Sequence, residues 1–264
     1  MEQNSFSFLS FCKKIYSSPK NLVILILFFW TVVALSSSGF SFVPQILISI
    51  LCTVAVDLLL MYFRDKKIYF PESAVISGLI ISLVISPPLS SWYILLFAGA
   101  TAMLSKHFIL ANGKHIFNPA NFGLLFAIVL FGSKAAQTWW GASIHFGFLL
   151  LGLIIVYRLG RFHQWIPFVA TVIVLSAIHH IATKNPQNFA VYAFQVIAGM
   201  LFFSFILLIE PLTSPITKKG RTIFGFLVAV IYFIAVNIPA LANFAVVGSL
   251  AVADLLVLLM NRIK

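Results

Sequence analysis

The stretch that decides the fold is residues 73–86, SAVISGLIISLVIS, which Pro87 and Pro88 follow directly. It carries no charged residue, so it is suited to lipid or to a protein interior. Its length makes a helix of only about 21 Å, whereas the hydrocarbon core of a bilayer is about 30 Å thick. If this segment lies in a membrane, it is therefore part of a broken helix.

The whole chain has the composition of a membrane protein. Of its 264 residues, 61% are hydrophobic and only 9% are charged, which leaves too little polar surface to cover a water-soluble globule of this size. The net charge is +11, but the basic residues lie in short clusters beside apolar segments, a pattern typical of topology signals and of contact with anionic headgroups. The expected partner is the lipid bilayer, and no nucleic acid is expected.

Ten apolar segments predict an all-α polytopic membrane protein with about ten transmembrane helices. Fifteen of the 17 Lys and Arg residues fall on one side of this ladder, and only Lys134 and Lys184 fall on the other. Because basic loops are retained in the cytoplasm, both termini are predicted to be cytoplasmic, in a bacterial inner membrane. The prediction is an N-terminal tail, 1–21, and one transmembrane domain, 22–264. The segments are 22–36, 42–63, 73–86, 92–110, 120–131, 141–157, 165–181, 189–209, 222–238 and 241–260.

The two halves of the chain resemble each other. Residues 77–78 and 88–91 are echoed by residues 198–199 and 211–214, and residues 118–122 by residues 239–244. These matches predict two five-helix repeats, approximately 22–132 and 141–260. Duplicated membrane folds commonly place their site where the halves meet, between interrupted helices. The third and fifth segments are too short to cross as straight helices, so they are candidates for such interruptions.

Three of the six acidic residues, Asp57, Glu210 and Asp254, lie within or at the edge of apolar segments. A carboxylate in the lipid interior costs roughly 2.5 to 3.5 kcal/mol on insertion scales, so these side chains are expected to face the bundle interior or the headgroup region. They are candidates for an ion pathway. The simpler alternative for the two aspartates is cytoplasmic water, or a pair with Arg64 and Arg262 about two turns away.

The run from Glu210 to Arg221 combines hydroxyl groups, a carboxylate and three cations in one interrupted stretch. Lysine, arginine and free backbone N–H groups stabilise anions, so the run suits a phosphate or the polar edge of a ring. The other interpretation is an ordinary cytoplasmic loop that carries positive-inside charges.

The histidines predict no metal site and no catalytic group. His179 and His180 are adjacent, so their side chains diverge on a helix, and no Cys, Asp or Glu lies nearby. His107 and His115 are assigned to a cytoplasmic loop around Gly113-Lys114. No nucleophile motif or nucleotide-binding loop is present.

Several motifs together resemble a known family. They are residues 77–78 with residues 86–89 and Trp92, then Lys106 with residues 113–120, and finally residues 202–214 with Thr217, residues 219–221 and residues 224–225. In order and spacing they resemble the RnfD/NqrB membrane subunits of ion-pumping electron-transport complexes. The resemblance extends from about Glu72 to the C-terminus.

The resemblance implies an integral membrane subunit that takes part in flavin-dependent electron transfer coupled to Na⁺ or H⁺ translocation. Such a chain is at most a non-catalytic or redox-carrying subunit and depends on other membrane and redox subunits. Family members that carry covalent flavin mononucleotide (FMN) attach it to the threonine of a Ser-Gly-Ala-Thr motif after the Asn-Pro-Ala helix, and residues 132–141 contain no such motif. No covalent FMN is therefore expected, and noncovalent riboflavin or FMN would lie between the halves.

The polar run and the resemblance together select seven residues to line or support a cofactor site. Two alternatives remain open from the sequence: a stand-alone solute channel or transporter with a urea- or ammonium-channel-like fold, and a structural scaffold whose polar residues hold helices together. The seven residues are Lys106, Asn118, Glu210, Ser214, Thr217, Lys219 and Arg221.

Overall fold

The structure is a computed structural model that describes residues 18–66, 68–85, 91–135, 146–184 and 186–261. This part of the chain contains ten α-helices, and each overlaps one predicted apolar segment. They are α1 Pro19–Ser38, α2 Val43–Asp65, α3 Glu72–Val84, α4 Tyr93–Phe108, α5 Pro119–Phe131, α6 Phe146–Leu159, α7 Phe162–Ala182, α8 Phe189–Phe202, α9 Lys218–Val236 and α10 Ala245–Met260.

Short elements connect these helices. A two-residue hairpin, β1 Leu110–Ala111 and β2 Lys114–His115, pairs antiparallel between α4 and α5. Helix α8 continues as a π-helical turn, Phe203–Leu207, before the chain leaves helical geometry at Glu210. Because α-helices dominate the described residues, the predicted all-α class is confirmed.

The helices have the lengths and surfaces of a multi-pass membrane protein. Five regions are long and apolar enough to cross a bilayer, whereas α3 and α5 have only 13 residues each. The prediction that these two segments are too short for straight crossings is confirmed. Phe28 on α1 is 61% exposed and Leu51 on α2 is 65% exposed, and lipid covers such faces at no cost. The predicted Pro87–Pro88 break and residues 1–17 lie outside the described part. The five regions are Pro19–Ser37, Phe40–Arg64, Phe162–Ala182, Lys218–Val236 and Ala242–Met260.

The same helix pairings recur in the two halves. Helix α2 packs against α3 and α4, as α7 packs against α8 and α9. Helix α4 packs against α5, as α9 packs against α10, and α5 meets α10 between the halves. This correspondence favours the two five-helix repeats, which stay a prediction. It also places Asp57 on α2 and Asp254 on α10, two helices that do not correspond between the halves.

Two glycines allow the closest helix crossings. A Cβ atom on Gly123 of α5 would overlap the carbonyl oxygen of Ala98 on α4, and one on Gly225 of α9 would overlap the carbonyl oxygen of Gln164 on α7. A backbone carbonyl cannot move aside as a side chain can. Small residues at such positions let helix backbones approach and gain van der Waals contact within a membrane.

Gly225→Ala is expected to lower the melting temperature of the purified protein by several degrees, because overpacking a close contact costs about 1–3 kcal/mol. The matched control is Gly248→Ala on α10, where the new Cβ would lie 3.6 Å from the Cβ of Phe244, an ordinary contact. Thermal unfolding of both variants in the same detergent measures the difference. Equal melting temperatures would show that the α7–α9 crossing is not limited by this glycine.

Candidate functional site

A cavity of about 760 Å³ lies between the two halves. The first half contributes the start of α1, parts of α2 and α3, the end of α4, strand β2 and the start of α5. The second half contributes the end of α6, the π-helical turn after α8 and residues 209–212. Most of the wall is apolar, and the ionisable and amide side chains that border it are Lys20, Asp57, Glu72, Lys106, His115, Asn118 and Glu210.

Two residues of α4 bind the carboxylate of Asp57 in the wall of this cavity. Its carboxylate is fully buried. The ammonium of Lys106 donates to both carboxylate oxygens, at 2.7 Å and 2.8 Å, and Nε2 of His107 lies 2.6 Å from Oδ1. Both partners lie in the last turn of α4, where the helix dipole favours cations.

These contacts revise two sequence interpretations. His107 is a buried helical residue and not part of a loop. Asp57 pairs across helices with Lys106 and His107, where sequence reasoning offered Arg64 on its own helix. The sequence signal for this pairing was present, because Lys106 and His107 are the basic residues of an otherwise apolar segment.

Asn118 joins three helices at the start of α5. Its side-chain oxygen accepts the backbone N–H of Asn121 at 3.1 Å and caps α5, with Pro119 at the first helical position. Its own backbone N–H donates to Oδ2 of Asp254 on α10 at 3.1 Å, and its side-chain amide reaches the carbonyl of Leu207 at 3.4 Å. The side-chain amide of Asn121 donates to the carbonyl of Val247 at 2.9 Å, which ties α5 to α10 a second time.

Asp254 is fully buried beside this helix start. Its Oδ2 accepts the Asn118 N–H, whereas its Oδ1 has no hydrogen-bond partner among the described residues. A carboxylate at a helix N-terminus is stabilised by the free N–H groups and the dipole of that helix. Arg262, the pairing partner considered from the sequence, lies outside the described residues.

Glu210 occupies the interruption that follows α8. Nε2 of His115 lies 3.4 Å from Oε1 of Glu210, and the hydroxyl of Thr213 donates to Oε2 at 3.3 Å. The hydroxyl of Ser214 donates to the backbone carbonyl of Glu210. The Glu210 side chain is 23% exposed, so it connects the cavity with its surroundings. His115 enters this contact through the β1–β2 hairpin, which the sequence analysis treated as a loop.

A second cationic cluster surrounds the turn that leads into α9, and its two arginines, Arg161 and Arg221, do not line the cavity. Thr217 accepts the backbone N–H of Gly220 and caps α9. Arg221 donates to the carbonyls of Pro215 at 3.0 Å and Gly160 at 3.3 Å. Arg161, which sequence reasoning treated only as a topology signal, is buried and donates to the carbonyl of Pro211 at 3.4 Å. Burial, and then the charge of Arg221, lowers the pKa of Arg161 to about 10.

The predicted site residues therefore divide into two groups. Lys106, Asn118 and Glu210 border the cavity. The other four belong to the turn before α9 and to the first turn of α9 itself. Ser214 and Thr217 form hydrogen bonds with backbone groups, Arg221 donates to two carbonyls, and Lys219 is exposed. These four are Ser214, Thr217, Lys219 and Arg221. They support the shape of the interruption and do not line the cavity.

Two stretches that together span nearly the whole chain, residues 12–145 and residues 140–262, match the profile of one protein family, described as the NQR2, RnfD, RnfE family. The chain belongs to this family. The resemblance found from the motifs is thus confirmed, and the match falls on each half of the chain in turn.

A named relative is similar to the same chain. It comes from Methanosarcina acetivorans and is named as the D subunit of an ion-translocating oxidoreductase complex. The two sequences are 25% identical over 204 residues, which cover 72% of this chain and 69% of the relative.

Asn118→Ala is expected to destabilise the protein by about 1–3 kcal/mol, because it removes a helix cap and an interhelical hydrogen bond from a buried site. The control is Asn188→Ala, which removes an exposed cap from α8, where the Asn188 side chain accepts the N–H of Ala190 at 2.9 Å. Thermal unfolding of both variants separates the two contributions. If both variants lose the same stability, Asn118 acts as a cap only and does not join the halves.

Proposed function

We propose that this protein is a membrane subunit of an ion-translocating oxidoreductase complex. In this role it passes electrons between partner subunits and takes part in moving ions across the membrane. Family membership supports the class of protein, and the named relative is a subunit of such a complex. The observation within the chain that carries the proposal is the cavity between the halves, which combines apolar walls with an ordered set of polar side chains. Electrons need cofactors in neighbouring subunits, so the working unit is a complex with other membrane and redox subunits.

The cavity fits a noncovalently bound riboflavin or FMN. Its volume of about 760 Å³ lies within the range of about 300–1,000 Å³ that is typical of organic ligand sites, which also combine apolar walls with a few placed polar groups. Ile76 and Ile206 would contact the faces of a planar ring, while Lys106, Asn118 and Glu210 would face its polar edge. The flavin supplies the electron-transfer chemistry when it is bound, and the protein supplies orientation and charge.

The intramembrane acidic residues support an ion pathway next to this cavity. Asp57 and Glu210 border the cavity, and the Asn118 N–H connects the cavity wall to Asp254. Ionisable groups inside a membrane bundle are costly, and they commonly mark ion and proton paths. We therefore assign Asp57, Glu210 and Asp254 to the path of the translocated Na⁺ or H⁺.

The orientation that we propose places both termini in the cytoplasm of a bacterial cell, with the chain in the inner membrane. It rests on the distribution of basic residues, since only Lys134 and Lys184 occupy loops of the opposite side. In this orientation the start of α5 and the turn before α9 both face the cytoplasm. The cavity therefore opens towards the cytoplasmic side.

Flavin binding is tested by blocking the cavity. Ile76→Trp places a bulky ring in the cavity, and the affinity of the purified protein for riboflavin or FMN is expected to fall at least about tenfold, which corresponds to about 1.4 kcal/mol. Fluorescence quenching of the added flavin measures this. The control is Ile178→Trp on α7, where the side chain is 56% exposed and does not line the cavity.

Two results would contradict the proposed function. One is purification from the native membrane that yields the protein without a redox partner and without flavin absorbance. The other is equal flavin affinity in the Ile76→Trp and Ile178→Trp variants, which would exclude the cavity as the site. Uptake of a solute by the chain alone in liposomes would indicate a channel or transporter instead.

The orientation is tested with single cysteines in a background where Cys12 and Cys52 are changed to serine. Lys66→Cys, Lys218→Cys and Lys184→Cys all introduce exposed thiols. A membrane-impermeant maleimide applied to intact cells is expected to label Lys184→Cys alone, and all three after lysis. Labelling of Lys66→Cys without Lys218→Cys in intact cells would show that the ladder of ten crossings is miscounted.

A further inference from the structure

Asp57 already holds a cation, and that cation belongs to the protein. The ammonium of Lys106 contacts both carboxylate oxygens, at 2.7 Å and 2.8 Å, in the bidentate position that a free monovalent cation would take. An ammonium is a compact point charge on a flexible stem, so it replaces such a cation more closely than a planar guanidinium does. The carboxylate itself is fully buried.

His107 completes the same site with a hydrogen bond. An ionised carboxylate can only accept hydrogen bonds, so the 2.6 Å contact assigns the proton of His107 to Nε2. Nδ1 of His107 is buried with no partner among the described residues. The opposite charges of the Asp57 carboxylate and the Lys106 ammonium balance each other. Asp57 and Lys106 therefore form a neutral pair, and one more cation at Asp57 would bring an uncompensated charge into the bundle.

Asp254 provides the contrast within the same protein. It is equally buried, but no Lys, Arg or His of the described residues pairs with it, and its Oδ1 has no partner there. Burial does not by itself give a carboxylate of this bundle a resident cation. The ammonium at Asp57 is thus a specific feature of that position.

The ammonium of Lys106 also has a second position available to it. Its side chain is 19% exposed and borders the cavity, as do Asp57 and Glu210. Rotation of its flexible four-carbon stem would carry the ammonium from Asp57 into the cavity. Negative charge in the cavity would stabilise this second position.

We propose that the ammonium of Lys106 is a tethered cation, which fills the cation site of Asp57 and yields it to a free monovalent cation when negative charge enters the cavity. The second half of this statement rests on the proposed function, since the charge would come from electrons that reach a flavin. Because coupling between two sites is reciprocal, a cation at Asp57 then favours negative charge in the cavity by the same factor. Lys106 is in this way the residue that links electron arrival to ion entry.

The first test removes the tether from the full-length protein in nanodiscs of neutral lipid without flavin. Lys106→Met leaves the Asp57 carboxylate without its cation, so NaCl is expected to raise the melting temperature in a saturable way, relative to equal concentrations of choline chloride. At a Na⁺ concentration tenfold above the apparent Kd, the rise is about 3–6 °C. The wild type is expected to show no such rise.

Three further variants separate this effect from a general salt effect. Lys106→Arg keeps a cation beside Asp57 and is expected to behave as the wild type does. Lys106→Met combined with Asp57→Asn removes the carboxylate and is expected to lose the response to Na⁺. Lys106→Gln keeps a hydrogen-bond donor without charge and replaces Lys106→Met if that variant does not fold. A folded Lys106→Met or Lys106→Gln variant that gains no Na⁺ response would overturn the proposal.

A second measurement uses the wild type. A carboxylate infrared band that shifts on addition of Na⁺ and disappears in Asp57→Asn would overturn the proposal, because Asp57 would then bind Na⁺ with Lys106 in place. The linkage is measured as the reduction potential of added FMN, which is expected to depend on Na⁺ in the wild type and not in Asp57→Asn. If FMN does not bind, the proposed function fails, while the Na⁺ response of the Lys106 variants still decides the assignment of the tethered cation.

Discussion

The start of α5 is the joint on which the rest of this bundle depends. A helix that ends inside a membrane leaves backbone groups that water cannot satisfy, so protein groups must do so. Asn118 provides this for α5, and the same residue contacts Asp254 on α10 and Leu207 after α8. One capping residue thereby brings together the short helix α5, helix α10 and the interruption after α8, at the boundary between the halves. The cavity exists because these elements stop short of one another.

The three acidic residues within or beside the helices are stabilised in three different ways. Asp57 is neutralised by a lysine and receives a histidine N–H as well. Asp254 depends on a helix N-terminus and keeps one oxygen without a partner among the described residues. Glu210 remains partly exposed and meets His115. A membrane interior allows each charge only where such compensation is available. Asp57 and Glu210 border one cavity, and the Asn118 N–H connects its wall to Asp254, which is the physical basis for the proposal that electrons and ions move at the same place.

Close backbone contact holds this arrangement together. Lipid is as apolar as the helix surfaces, so burial of apolar area gives little net attraction between helices, and packing has to supply it. Gly123 brings α5 onto α4, and Gly225 brings α9 onto α7. The two crossings are different pairings of the repeat: the α4–α5 pairing matches α9–α10 in the second half, and the α7–α9 pairing matches α2–α4 in the first half. The positions of Lys106 and of the turn before α9 follow from these crossings.

The amino-acid sequence alone determined that this protein lies in lipid, the ten helices of its described residues and its family. Charge-free runs can only lie in lipid or in a core, and their lengths identified α3 and α5 as short helices. It also identified Asp57, Glu210, Asp254, Lys106 and Asn118 as unusual, since each is polar beside or within an apolar run. Only the tertiary structure decided their partners. Lys106 meets Asp57 across 49 residues, His115 meets Glu210 across 95, and Asn118 meets Asp254 across 136. Hydropathy is a local property that reports the depth of a residue in the bilayer, whereas a partner depends on which helices cross and at what rotation, and that is a property of the packed bundle.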